Sequence, residues 1–189
     1  MQLQILHASD LEGGVDAIGR AANFAALVDA FEDDYAYSIT LSAGDNYLSG
    51  PFFNAAADPS FGASGVLDQV YNDLYDLADG EGYAGLGAGA GRVDISIMNV
   101  IGFDASAFGN HEFDLGTGTV GGLLTPNFGA ADGVADDGWV GTQFPYLSAN
   151  LDFSGDSSLR GLYTGEILTS DAFATGPEQS ATSTTAPKI

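Results

Sequence analysis

Cysteine is absent from the 189 residues. That excludes disulfides and thiolate metal sites. Cations are nearly absent too: 4 Lys+Arg stand against 26 Asp+Glu, a formal net charge of −22. Arg20, Arg92, Arg160 and Lys188 are scattered along the chain and make no patch. Nucleic acid polymers and anionic membrane surfaces both demand clustered cations, so neither is an expected partner. No apolar run approaches the roughly 20 residues that a membrane helix needs, which excludes membrane insertion by a helix. No secretory signal stands out, because Gln2 to Ile5 runs straight into a strand pattern without a charged n-region. Yet 45% of residues are hydrophobic and 11% aromatic. A chain of this composition is no acidic disordered tail; it has the material for one domain with a core. The charge poses a question. An anionic substrate would have to be attracted by something other than Lys and Arg, and bound divalent cations can do that. The alternative is that the acids serve solubility alone.

Periodicity points to an α/β chain. Leu3 to His7 is a short apolar strand, ending in the loop Ala8-Ser9-Asp10-Leu11-Glu12-Gly13-Gly14. From Arg20 to Asp33, the residues Phe24, Leu27, Val28 and Phe31 fall at helical spacing. Tyr37 to Leu41 reads as a second strand, ending at Ala43-Gly44-Asp45-Asn46. Strand, helix and strand in so short a span make a βαβ unit with a parallel pair. Further helices are expected at 64–78, where Ser64 can cap, and at 93–101. A third strand is expected at 104–108 and a fourth at 145–151. The Gly/Ala stretch 79–91 reads as a flexible surface excursion and 125–143 as a loop. Beyond Phe153 the chain is Ser/Thr/Gly-rich.

Several catalytic motifs are missing. Gly80-Glu81-Gly82-Tyr83-Ala84-Gly85 matches a dinucleotide fingerprint only formally, since it follows a helix and opens none. The only lysine is Lys188, so there is no P-loop. No Gly-x-Ser-x-Gly elbow occurs, and His111-Glu112 lacks the second histidine of a zinc-protease helix. What is present is a set of polar loops after successive strands, the place where sites gather in parallel α/β sheets. Asp10 and Glu12 can both face one cation across a glycine-flanked turn. Asp45, held just past a buried strand, suits a rigid shared ligand. Asn110 offers an oxygen ligand, and His111 an acid or base near neutral pH. Asp114, one helical turn on, can orient and charge that imidazole. Each feature alone also has a structural reading: a solvated acidic loop, an Asx turn, a helix start. His7 reads as a core or strand-end histidine.

The blocks Ile5-Leu6-His7-Ala8-Ser9-Asp10, Leu41-Ser42-Ala43-Gly44-Asp45-Asn46, Gly109-Asn110-His111-Glu112-Phe113-Asp114 and Ser148-Ala149-Asn150-Leu151 resemble, in that order, the 5′-nucleotidase branch of the calcineurin-like metallophosphoesterases. The resemblance spans residues 1–153, the N-terminal part of that domain, with 56–91 and 125–143 as inserted loops; 154–189 reads as a loop or incomplete continuation. It implies an α/β fold, part of a four-layer α/β/β/α sandwich that looks truncated. It implies two divalent metal ions, of Mn, Mg, Ca, Fe or Zn. Asp10 would bind the first, Asp45 bridge both and Asn110 bind the second. His111 would protonate the leaving-group oxygen or stabilise the transition state, oriented by Asp114. The implied reaction is hydrolysis of a phosphomonoester such as a nucleotide by metal-bound hydroxide. A periplasmic or extracellular location is implied by the same resemblance.

Two departures modify these expectations. The family usually has histidine where Glu12 stands; a carboxylate there keeps coordination possible but favours Mn, Mg, Ca or Fe over Zn. The family also draws downstream histidine ligands, and this chain has none after His111. A missing C-terminal portion of a parent protein is therefore expected to complete the site, and the isolated chain to be weakly active or inactive. The same departures admit an alternative: a non-catalytic, acidic Ca²⁺- or metal-binding surface module that retains the scaffold.

Overall fold

A computed structural model describes residues 1–78, 82–127, 138–160 and 162. Most of the expected segment 154–189 and the middle of the 125–143 loop lie outside the described residues.

Among the described residues, four short strands form one parallel sheet: β1 (Gln4–Ala8), β2 (Ser38–Ser42), β3 (Ala105–Ala107) and β4 (Tyr146–Leu147), in the order β1-β2-β3-β4. The β1–β2 register pairs Ile5 with Ile39 and His7 with Leu41. Alternation then splits each strand between two faces. Thr40, Ser42, Ser106 and Tyr146 are buried on one face. On the other face of β1, Leu3 and Ile5 are exposed, as is His7. The observed arrangement, a parallel sheet with helices, is the α/β class that the sequence pattern leads one to expect.

The helices are α1 (Val15–Glu32), α2 (Pro51–Ala55), α3 (Pro59–Ala63), α4 (Val66–Leu74), α5 (Arg92–Ile101) and α6 (Thr117–Leu124). α1 packs against β2 and α5. α5 begins and ends on glycines in left-handed backbone, Gly91 and Gly102. That conformation is nearly free for glycine and stops the helix cleanly. Ile95 and Met98 of α5 join Phe53, Tyr71, Leu86, Trp139 and Phe144 in the core.

Several expectations change. Ser64 closes α3, and the N-cap position of α4 falls to Gly65 instead. α1 starts five residues earlier than the apolar spacing suggests. α6 is a helix that sequence reading leaves unassigned. Its three interior glycines each disfavour helix by about 1 kcal/mol, but Val120, Leu123 and Leu124 are buried and hold it by packing. The stretch read as a surface excursion is anchored, at least from residue 82 onward. Leu86 is only 2% exposed. Asp68 accepts hydrogen bonds from the N–H groups of Gly85 and Leu86, and Asn72 brackets Tyr83 by two more. Composition suggests flexibility here; side-chain brackets from α4 override it.

Candidate functional site

The loops after β1, β2 and β3 meet at the carboxyl edge of the sheet. The first two are joined by their backbones. Asp10 N–H donates to the Gly44 carbonyl at 3.1 Å, and Glu12 N–H to the Asp45 carbonyl at 3.0 Å. The third loop crosses against the second at a glycine pair. A Cβ on Gly44 would collide with the backbone of Phe108 and Gly109, and one on Gly109 would strike Asp45. Two loops can approach this closely only where both residues lack side chains.

Glu112 locks the junction. It is fully buried. Its carboxylate accepts N–H bonds from Gly109 at 2.7 Å, Asn46 at 2.8 Å and Asp45 at 3.0 Å. The Tyr47 hydroxyl donates to its carbonyl. Charge-assisted bonds of this kind are about twice as strong as neutral ones. Asn46 does similar work beneath. Its Oδ1 accepts from Ser42 Oγ, and its Nδ2 donates to Ser106 Oγ and to the Tyr146 hydroxyl, both at 2.8 Å. One side chain thus ties the second loop to β2, β3 and β4. Neither Glu112 nor Asn46 figures among the site residues read from the sequence. Their signal was available, since both lie inside the motif blocks, but nothing local shows that they act on the backbone of a different loop.

The four expected oxygen ligands fall on this scaffold. Asp10, Glu12 and Asp45 each adopt φ of 53°, three of the four non-glycine residues with positive φ among those described. Left-handed backbone costs a non-glycine residue about 1 kcal/mol or more, and such strain concentrates at functional sites. Asp45 Oδ1 accepts from His111 N–H at 2.7 Å. Asp10, Glu12 and Asn110 are exposed, and Asp45 is half-buried. Asn150 lies beyond β4, where Ser148 accepts from Leu151 N–H and donates weakly to Asn150.

His111 and Asp114 flank a single 3-10 turn, His111–Phe113. His111 Nδ1 lies 2.8 Å from Asp114 Oδ2. That hydrogen bond raises the imidazole pKa above its ordinary value, helped by the charges of Asp114, Asp45 and Glu12. The expected imidazole–carboxylate pair is therefore formed, and two of the expected metal ligands act on it electrostatically.

The donor set is carboxylate and amide oxygen, the chemistry that hard divalent cations select. It is open: among the described residues no group of three or more His, Asp or Glu side chains lies close enough together to hold a metal ion. The residues fit such an ion in kind but would need further donors to complete its shell.

No family model matches the chain. A curated relative does: the trifunctional nucleotide phosphoesterase protein YfkN of Bacillus subtilis (strain 168), 37% identical over 70 residues. The chain is similar, over that segment, to a nucleotide phosphoesterase. The matched segment is 37% of this chain and 5% of that relative. A solved structure, the NAD nucleotidase NadN of Haemophilus influenzae, superposes at a TM-score of 0.45 and 18% identity, over 84% of this chain and 22% of that one. The chain thus corresponds to a small share of either protein's length. Among the described residues no helix is long and apolar enough to cross a membrane.

Proposed function

We propose that this chain carries residues of a phosphoesterase centre that hydrolyses a nucleotide-like phosphomonoester outside the cytoplasm. The observation that carries this reading is the link between Asp45 and His111, in which a strained candidate ligand fixes the backbone of the candidate acid. Similarity to a nucleotide phosphoesterase supports the substrate class.

Asp10, Glu12, Asp45 and Asn110 would hold two divalent ions. Such ions, when bound, supply an activated water and neutralise phosphoryl charge. The chain's own residues do the rest. Asp114 keeps the His111 imidazole oriented and charged through Nδ1. That leaves Nε2–H to donate a proton to the leaving-group oxygen. Glu112 and Asn46 hold the loops so that these groups need not reorganise during the reaction. With an acidic chain, phosphate affinity is borrowed from the metals.

The test is turnover of a chromogenic phosphate ester with Mn²⁺, using the wild type, His111→Ala and Asp45→Asn. Weak metal-dependent turnover is expected, abolished in His111→Ala. Calorimetric Mn²⁺ binding should be lost in Asp45→Asn. Turnover that persists unchanged in His111→Ala would remove the proposed acid. Tight Ca²⁺ binding without hydrolysis would favour a binding module instead.

A further inference from the structure

A cavity of about 200 Å³ opens between the first loop, α1 and α5. Its walls are hydrocarbon, from residues such as Leu11, Ile18, Phe24, Ile97 and Met98. Asp94 lies among them at 5% exposure, and neither of its carboxyl oxygens has a hydrogen-bond partner on another residue. Gly13 closes over this carboxyl so tightly that a Cβ there would strike Asp94 Oδ1. Asn46 also lines the cavity, but its amide is taken by Ser42, Ser106 and Tyr146. Arg20 lines the mouth and is exposed. Hydrocarbon walls around one deep acceptor define a ligand with one donor head and an apolar body.

Native proteins rarely leave a buried carboxyl without a donor, because its desolvation is then uncompensated. Size limits what can supply the donor. An apolar cavity of about 150 Å³ holds a benzene molecule. We propose that this cavity is a binding site for a small organic cation, with an ammonium or amidinium head donating to Asp94 and a body about the size of one aromatic ring. The cavity shares the first loop with the candidate oxygen ligands, Leu11 and Gly13 on its wall alternating in sequence with Asp10 and Glu12. It would discriminate by charge and donor count, since a neutral isostere leaves the carboxylate poorly satisfied.

The test titrates the full chain with benzylamine and, separately, with benzyl alcohol at pH 8, following amide resonances. Benzylamine is expected to give saturable shifts at Gly13 and Ile97, with the alcohol at least about tenfold weaker. Asp94→Asn should erase that preference. Ala21 lines the cavity from α1, so Ala21→Leu should fill it and block both ligands. The proposal is overturned if the alcohol binds as tightly as the amine, if Asp94→Asn keeps the preference, or if neither ligand saturates. The Asp94→Asn arm decides the matter alone should the Ala21 variant not fold.

Discussion

Asp94→Asn should make the chain more stable at alkaline pH. Burial pushes the Asp94 carboxyl up to about 7 from an ordinary 3.8, offset only in part by its own backbone N–H. The folded state therefore holds this proton more tightly than the unfolded state. Below about pH 4 both states are protonated and no penalty exists. As pH rises, the unfolded chain ionises freely while the folded chain resists. Stability is lost progressively until the folded group also ionises, near pH 7. Above that the loss is complete. Linkage from the two values gives a penalty of about 2 kcal/mol at pH 5 and about 4 kcal/mol at pH 8. Asn cannot ionise, so the variant escapes it. Urea unfolding of both proteins at pH 5 and pH 8 measures the difference. The advantage of the variant should grow by roughly 2 kcal/mol or more between the two. The other acids titrate in both proteins and cancel in the comparison. Parallel stability curves for wild type and variant would refute the reasoning, because they would mean that Asp94 titrates normally in the folded chain.

Other outcomes are expected at the loop junction. Glu112→Gln keeps the shape but puts an NH₂ donor where one carboxylate oxygen accepted, so urea unfolding should show a loss of about 2–4 kcal/mol. Gly44→Ala drives a methyl into the Gly109 backbone at a φ of 98° and should lower stability by several kcal/mol, on the order of 3. The chromogenic assay should register lost turnover in the same variant. Asp114→Asn removes the largest cause of the raised His111 pKa, so imidazole resonances should titrate at lower pH in the metal-free variant than in the wild type. An unmoved titration would mean that the Nδ1 contact does not hold the proton.

The sequence by itself determined the parallel α/β class, because each strand is short, apolar and followed by a polar loop. It also determined the identity of the imidazole–carboxylate pair, since residues three apart in one tight turn meet whatever surrounds them. Tertiary structure decided the rest. α6 is glycine-rich, and only burial of Val120, Leu123 and Leu124 makes it a helix. Residues 82–91 lie against the core because Asp68 and Asn72 bracket them. Glu112 reads as an acidic first-turn residue, yet it binds backbone amides of a loop more than 60 positions earlier. Nothing in the local sequence marks Asp94, yet the fold buries it with no donor from another residue. Local pattern sets period and turn chemistry. Which carboxylate meets water, an amide or nothing depends on contacts between segments distant in the chain, and those exist only once the sheet has assembled.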